Sequence, residues 1–295
     1  MLEGRQRGWA LAAFGMLMVS TDSAFIRAAD FDAWTIAFVF GAGSAISLSI
    51  VFSLTSHESA VAALRRAPAP IAMLAVLSAM SQIAFTAAVN HTAVSNVVVI
   101  VASTPIFAAV MAWLLLRERT ARRVKIAIAI TVVGVLIVVS GSFGQPTLDG
   151  DLLAVAAILM FSLSVIIWRH RPDINRALTL ALSSTTMALI TAPFASLTDA
   201  PLRVFVAGGV MGMVFNPVGR VSYTSAPRFA PASEVALFTP VETVAATIWA
   251  WVFFSERPGI QTVTGGIVVI GAVVWGTVGG GRKSLPRDEL DAFPE

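Results

Sequence analysis

Two carboxylates, Asp22 and Glu242, lie within long apolar stretches of this sequence. A carboxylate surrounded by hydrocarbon must be protonated, paired with a cation or in contact with water, because an isolated buried charge is strongly disfavoured. Glu242 follows Pro240 near the middle of its stretch, whereas Asp22 lies closer to one end and could pair with Arg27. Both are candidates for binding a polar solute or carrying a proton, and pairing with a neighbouring helix is the structural alternative.

Further polar residues in or beside the apolar stretches could line a polar path through them. They could instead form hydrogen bonds between helices, cap a helix or mark a membrane surface. An additional residue, Arg220, could attract a carboxylate, although snorkelling is the ordinary role of an arginine at the end of such a stretch. The candidate binding residues, besides Asp22 and Glu242, are Gln82, Asn90, His91, Ser95, Asn96, Trp168, Asn216, Tyr223 and Glu234.

The composition predicts the fold class that positions these residues. The 295 residues are 57% hydrophobic and 13% charged, with a mean hydropathy of +0.82, whereas soluble domains carry about 25% charged residues. The charges are clustered between apolar runs of about 20 residues, the length that crosses a bilayer as a helix. We therefore expect an all-α polytopic membrane protein.

Several classes of function lack the residues they need. There is no cysteine, and His57, His91 and His170 are far apart, so we expect no metal site and no thiol chemistry. The sequence contains neither HExxH nor a Walker A motif, and its basic residues lie in short connections rather than in a patch that would bind nucleic acid. We expect no enzyme, no cofactor and no obligate protein partner; the expected partners are the lipid bilayer and a small-molecule substrate.

The apolar runs predict ten spans, and the first is expected to be an uncleaved helix rather than a signal peptide. If the N-terminus is inside, 17 Lys and Arg residues lie on the inner side and 3 on the outer side. This bias predicts cytoplasmic termini in a bacterial inner membrane. The expected spans are about 9–28, 33–54, 70–88, 93–116, 124–141, 151–168, 177–197, 202–219, 231–254 and 259–279.

A repeated pattern divides the chain into two halves. The segments "ASTPIFAAVMAWLLLRER" and "LFTPVETVAATIWAWVFFSER" occupy the fourth and the ninth expected span. Because five spans separate them and five is odd, the two copies must face opposite ways across the membrane. We expect five-helix repeats at 1–145 and 146–281, a cytoplasmic tail at 282–295, and hinges or static kinks at Pro105 and Pro240.

The repeat also predicts where the polar residues lie. Gln82 precedes Pro105 by 23 residues, and Asn216 precedes Pro240 by 24. Inversion would place the first set of polar residues in the outer half of the membrane and the second set in the inner half. We therefore expect two polar vestibules, one opening to each side, as alternating access requires.

The ten spans, the paired prolines and the Glu-Arg endings resemble the drug/metabolite transporter superfamily, EamA type, over the whole chain. The stretches "NHTAVSNVVVIVASTP" and "ASEVALFTPVE" are similar to the bacterial YddG-type exporters of aromatic and other neutral amino acids. The resemblance implies a secondary exporter of small neutral metabolites, including aromatic amino acids, that works by alternating access. A broad-specificity exporter of drugs is the alternative, and proton coupling through Asp22 or Glu242 stays open.

Overall fold

The computed structural model describes residues 2–56, 58–104, 106–107, 110–111, 114, 122–141, 147–171, 173–226, 229 and 238–278. Over these residues the chain is helical and contains no strand. A 3-10 turn (Ala192–Phe194) follows α9, and a π-helical segment (Met211–Phe215) joins α10 to α11. The α-helices are α1 (Leu2–Val19), α2 (Thr21–Ala29), α3 (Ala33–Thr55), α4 (Ala60–Arg66), α5 (Pro68–His91), α6 (Val94–Ala102), α7 (Arg122–Ser140), α8 (Leu148–His170), α9 (Arg176–Thr191), α10 (Leu202–Val210), α11 (Asn216–Ser225), α12 (Thr239–Phe254) and α13 (Ile260–Val278).

Six segments are long and apolar enough to cross a membrane, and they coincide with six of the ten expected spans. Large apolar side chains such as Leu54 and Leu202 are 81% and 77% exposed, as expected where hydrocarbon rather than water surrounds the protein. The chain is therefore a polytopic membrane protein; the total of ten spans stays a prediction. The six segments are Gln6–Ala29, Ala33–Thr55, Pro68–His91, Leu148–Trp168, Arg176–Phe194 and Leu202–Tyr223, and shorter apolar helices cover Lys125–Ser140, Val241–Phe254 and Ile260–Ala272.

The first spanning segment has a local irregularity at Ser20, between α1 and α2, where the backbone stays in the helical region and the Ser20 N–H still donates to Met16 O at 2.9 Å. The Ser20 hydroxyl donates to Leu17 O at 2.6 Å, and the Thr21 hydroxyl donates to Met18 O at 2.7 Å. Hydroxyls that bond to carbonyls of the preceding turn compete with the helical backbone and tend to bend or interrupt it. Helix α2 follows this irregularity and carries Asp22 near its start.

Helices α3 and α9 pack antiparallel. Near the start of α3, the Thr35 hydroxyl accepts a hydrogen bond from the backbone N–H of Ser196, which follows α9. At the other end, the Asn175 amide before α9 donates to the hydroxyl of Ser56, which follows α3. The two helices thus run side by side in opposite directions over their full length.

The same antiparallel arrangement joins α7 to α13 through close glycine contacts. A Cβ added at Gly134 would lie 2.8 Å from a methyl group of Val269, and one added at Gly141 would lie 3.1 Å from the Gln261 side chain. Residue numbers therefore rise along α7 as they fall along α13. Only glycine permits this approach, so Gly134 in α7 and Gly265 in α13 are explained by packing within the chain.

Helices α6 and α12 form a third antiparallel pair. The backbone N–H of Val94 donates to Glu256 Oε2 at 3.0 Å, and four residues further along α6 the carbonyl of Val98 accepts from the Thr243 hydroxyl at 3.2 Å. Two further pairs join helices that are not counterparts in the repeat: α1 packs on α11, and α5 packs on α8.

These contacts define two ends of the bundle. The Glu256 end contains the connections at 30–32, 92–93, 195–201 and 255–259. The Arg65 end contains the connections at 56–59 and 171–175 and the short helix α4, with His57 and residue 172 outside the described residues. Between the two ends lies a continuous apolar core that includes Ile26, Phe40, Ile100, Val138, Ile158 and Met187.

Candidate functional site

Asn216 is presented to the centre of the bundle by the π-helical segment that precedes it. The Asn216 N–H donates to the carbonyl of Met211, five residues back, rather than to the usual carbonyl four residues back. The next residue, Pro217, has no N–H to continue the regular pattern and occupies the first turn of α11. Such π segments turn the following side chains relative to the preceding helix and occur often at functional sites.

A chain of hydrogen bonds runs from Asp22 through Asn216 and Arg220 to Gln82. Asn216 Nδ2 donates to Asp22 Oδ2 at 2.5 Å, and Arg220 Nε donates to Asn216 Oδ1 at 3.1 Å. Arg220 Nη2 then donates to Gln82 Oε1 at 3.2 Å. The chain joins α2, α11 and α5, so residues far apart in sequence form one polar site. Asp22 is 3% exposed, and its Oδ1 accepts no hydrogen bond from any residue that the structure describes.

Glu242 belongs to the same electrostatic site. It lies in the first turn of α12, two residues after Pro240, and is partly buried. The positive charge of Arg220 acts on both Glu242 and Asp22, and the two carboxylates also act on each other. The site therefore sets two carboxylates around one guanidinium.

A cavity opens beside this site and is lined mainly by apolar residues. The space not filled by atoms amounts to about 430 Å³, part of which is open to the surface. Gln82, Asn216 and Arg220 form the polar wall, and serines of α3, α5 and α9 contribute hydroxyls. The apolar lining residues are Phe40, Leu48, Ala79, Phe161, Leu180 and Met187.

Arg27 and Glu256 form an ion pair at the Glu256 end of the bundle. Arg27 Nε lies 2.7 Å from Glu256 Oε1, and the same guanidinium donates to the carbonyl of Thr92 at 2.8 Å. Glu256 also accepts from the backbone N–H of Val94, in the first turn of α6. A carboxylate at a helix N-terminus satisfies an otherwise unpaired N–H and is stabilised by the helix dipole.

Beneath this ion pair lies a second polar cluster around Asp151, which is completely buried. The Thr92 hydroxyl donates to Asp151 Oδ1 at 2.8 Å, and Asn96 Nδ2 lies 3.4 Å from both carboxylate oxygens. Asn96 Oδ1 in turn accepts from the Thr262 hydroxyl. The cluster joins α5, α6, α8 and α13 and helps to seal the Glu256 end.

The remaining predicted site residues lie at the two ends rather than beside Arg220, and Asn90 and His91 line a second, open cavity at the Glu256 end. Asn90 donates to the carbonyl of Phe31 instead of capping a helix, exposed His91 is the last residue of α5, and Ser95 is buried beside Asn96. Trp168 lies at the Arg65 end against Ile71 and Ile174. These positions favour structural roles for the residues in this conformation, although their binding roles stay predictions.

Three further predictions concern α11, α12 and their surroundings. Tyr223 is partly buried against Ala12 and Ala226, and not beside the cavity. Pro240 lies in the first turn of α12, where proline is accommodated without breaking a helical hydrogen bond. Glu234 and Pro105 lie outside the described residues. The hinge roles of Pro105 and Pro240 stay predictions.

The expected separation of Gln82 and Asn216 is wrong for this conformation. The inverted repeat predicts opposite vestibules for these two residues, but both bond to Arg220 and line one cavity. The Arg220 side chain bridges the distance because side chains on a helix point toward its N-terminus. In α11 that direction leads from the Arg65 end into the middle of the bundle. Snorkelling, the role expected for Arg220, would require the opposite direction.

Arg220 is thus the site residue that sequence reasoning set aside. Its partner Gln82 is 138 residues away, and no periodicity indicates that the two meet. A usable signal was present in the spacing of Asn216 and Arg220, since residues four apart lie on one helix face. Among the residues that the structure describes, no group of three His, Asp or Glu side chains is arranged to hold a metal ion.

Comparisons with known proteins agree with a transport role. The EamA-like transporter family matches residues 6–140 and again residues 148–277. The pseudopaline exporters CntI of Pseudomonas aeruginosa strains UCBPP-PA14 and PAO1 are each 24% identical over 242 residues, which cover 78% of this chain and 82% of theirs. A solved crystal structure whose description names no function has a TM-score of 0.64 at 12% identity, covers 92% of this chain and 98% of its own, and supports the fold alone.

Proposed function

Because the chain belongs to the EamA-like transporter family, within the drug/metabolite transporter superfamily, we propose that it exports small zwitterionic metabolites, with amino acids that carry apolar or aromatic side chains as its main substrates. The route is alternating access through the Arg220 site. The membrane is a bacterial inner membrane, and the Arg65 end faces the cytoplasm, as the excess of basic residues on that side predicts.

The packing of equivalent helices supports an inverted repeat of five spans, with repeats at 1–145 and 146–281. The second, fourth and fifth spans of one half contain α3, α6 and α7, and their counterparts contain α9, α12 and α13. Each of these helices packs antiparallel to its own counterpart. Two copies with the same topology would place such counterparts parallel, so the antiparallel packing favours inversion.

The observation that carries the substrate class is the composition of the Arg220 site. A guanidinium binds a carboxylate with directed hydrogen bonds, and a carboxylate binds an ammonium group. Arg220 and the two acidic residues Asp22 and Glu242 supply both charges beside an apolar cavity. A zwitterion with an apolar side chain matches all three features, whereas a strongly anionic solute would need more cations.

The difference between the two ends supports an inward-facing state. The cavity is lined by residues such as Leu48, Leu180 and Arg220, which lie in the half of their helices nearer the Arg65 end. The Glu256 end is closed by the Arg27–Glu256 ion pair and the Asp151 cluster. Export requires that a substrate enters from the cytoplasm in such a state. The name of the relative CntI, a pseudopaline exporter, agrees with this direction.

The test is transport by the purified protein in liposomes, with labelled neutral amino acids and a cationic dye as parallel substrates. We expect amino-acid flux, little dye flux, and loss of the amino-acid flux in Arg220→Gln. Arg203→Gln is the matched control, because Arg203 is exposed and bonds to Asp30 at the Glu256 end. Dye flux without amino-acid flux would overturn the proposal in favour of a broad-specificity drug exporter.

A further inference from the structure

One main-chain carbonyl of the π-helical segment, that of Gly212, lacks its usual helical partner. In a regular α-helix this carbonyl would accept a hydrogen bond from the N–H of Asn216, four residues further on. That N–H donates to Met211 O instead, and the next residue, Pro217, has no N–H to offer. Because a membrane interior contains no water to bond to, the Gly212 carbonyl needs another donor.

The donor is a side chain from a different helix. Ser44, in α3, donates its hydroxyl to the carbonyl of Gly212 at 3.0 Å, and the bond is buried. A serine within a helix can satisfy its hydroxyl on its own helix, as Ser53 of α3 does with the carbonyl of Ser49. The Ser44 bond therefore serves the π-helical segment rather than α3.

The absence of a side chain at Gly212 allows α3 to approach closely enough for this bond. A Cβ added at Gly212 would overlap the carbonyl oxygen of Phe40 and would lie 3.1 Å from the backbone nitrogen of Ser44. Both neighbours are backbone atoms, which cannot turn aside as the end of a flexible side chain can. A larger residue at this position would push α3 and the π-helical segment apart and weaken the Ser44 bond.

The register of the π-helical segment decides where the side chains of α11 point. A π-helical hydrogen bond spans one residue more than an α-helical one, and one residue corresponds to a rotation of about 100°. If the N–H of Asn216 returned to the carbonyl of Gly212, α11 would turn by about that angle relative to α10. The Asn216 amide would then no longer face Asp22. Arg220, one turn further on, would turn away from Gln82.

We propose that Ser44 is a positioning residue of the substrate site: by holding the Gly212 carbonyl, it fixes the π-helical register that directs Asn216 and Arg220 into the site. Ser44 borders the cavity, but it is 2% exposed. Its hydroxyl has one hydrogen, which it donates to Gly212. The inference rests on the proposed function, because it concerns how the same site is assembled.

The first test removes the hydroxyl and measures the transport of labelled phenylalanine in liposomes. We expect Ser44→Ala to raise KM about tenfold, as the loss of one hydrogen bond in the site would, and to change the maximal rate less than KM. Ser44→Thr retains the hydroxyl and should keep KM within about twofold of the unmodified protein. The matched control is Ser53→Ala, because Ser53 is exposed and bonds within α3.

A second pair of variants disturbs the register but leaves the Ser44 hydroxyl in place. Gly212→Ala moves the carbonyl away from Ser44, and Pro217→Ala supplies an N–H with which the segment can continue as a regular α-helix. Both should raise KM for phenylalanine severalfold. The control is Gly209→Ala in α10, because an added Cβ there meets no atom within 4 Å.

Thermal unfolding in detergent identifies variants that fail to fold. If Ser44→Ala does not fold, Ser44→Cys takes its place, since cysteine is of similar size and is a weaker donor. The expected rise in KM is then smaller but has the same sign.

The outcomes separate this inference from the function on which it rests. If the unmodified protein transports no phenylalanine, the proposed substrate class fails. If it transports phenylalanine and removal of the Ser44 hydroxyl leaves KM unchanged, the substrate class stands and the positioning role of Ser44 is overturned. The same holds if KM rises in Ser44→Ala while neither Gly212→Ala nor Pro217→Ala raises it, because Ser44 would then act on the substrate directly.

Discussion

Arg27 and Glu256 form an ion pair that joins the end of α2 to the turn between α12 and α13, with 2.7 Å between Nε and Oε1. The two residues are far apart in sequence and close one end of the bundle together with the first turn of α6. In the alternating access that we propose, opening of that end would break this pair, because the Glu256 carboxylate holds Arg27 and the Val94 N–H at the same time.

Glu256→Gln should make the closed end more accessible. The protein contains no cysteine, so a single Ser95→Cys reporter, placed at a buried site in the first turn of α6, can be labelled without background. We expect a membrane-impermeant thiol reagent to label the reporter several times faster when Glu256→Gln is also present. Glu58→Gln is the control, since its exposed pair with Arg66 lies at the Arg65 end and exposed pairs contribute little. Equal labelling in all three backgrounds would show that the ion pair does not hold the end closed.

Glu242→Gln should remove the effect of a pH gradient on transport. Among the described residues, Asp22 and Glu242 share the single guanidinium of Arg220, which leaves one negative charge to be balanced by a proton or by the ammonium group of a substrate. With one carboxylate removed, that balance no longer requires a proton. The measurement is amino-acid flux in liposomes with and without an imposed pH gradient. A gradient dependence equal to that of the unmodified protein would exclude Glu242 as the proton carrier.

Asp151→Asn should destabilise the fold by about 1–3 kcal/mol, the cost of leaving buried polar groups unsatisfied. Asp151 accepts from Thr92 and lies beside Asn96 Nδ2, and an asparagine would turn a donor toward at least one of these donors. Thermal unfolding in detergent measures the change. Asp149→Asn is the matched control, because Asp149 lies in the same first turn of α8 but is exposed. Equal unfolding temperatures for the two variants would contradict the structural role of the Asp151 cluster.

Gly265→Ala should lower the unfolding temperature, whereas Gly271→Ala on the same helix should preserve or raise it. A Cβ at Gly265 would lie 2.5 Å from a Val138 methyl and 2.7 Å from the Gly134 carbonyl, so α7 and α13 would have to separate. Overpacking of this kind costs about 1–3 kcal/mol. A Cβ at Gly271 meets no atom within 4 Å, and alanine is the better helix former by about 1 kcal/mol. The reverse order of the two temperatures would show that the glycine contact is not required.

The hydrophobic runs predicted the helical fold, because span length and clustered charges are local properties of a sequence. The paired prolines and Glu-Arg endings indicated the transporter family by resemblance. Asp22, Gln82, Asn216 and Glu242 were all candidates from their polar character alone, and the structure brings them to one site. Their grouping could not be predicted, because it depends on which helices pack against each other. The expectation of two vestibules failed for Gln82 and Asn216 since it considered helix direction and not the reach of the Arg220 side chain.

The partner of Arg27 could not be predicted from the sequence for the same reason. Sequence spacing offered Asp22 as a partner for Arg27, five residues away on the same helix, whereas the fold supplies Glu256 to Arg27 and Asn216 to Asp22. The π-helical segment at Met211–Phe215 was not expected either, although Pro217 provides its local cause.

The nine residues of α2 carry different contacts near the two ends of the helix. Near one end of α2, Asp22 accepts a hydrogen bond from Asn216, which also contacts Arg220. Near the other end, about 7.5 Å further along the helix axis, Arg27 forms the ion pair with Glu256. Because α2 is short and helical, we expect a displacement of Asp22 to move Arg27 as well. We expect substrate binding beside Asp22 and release of the Arg27–Glu256 ion pair to be coupled through the two turns of α2 that separate the two residues.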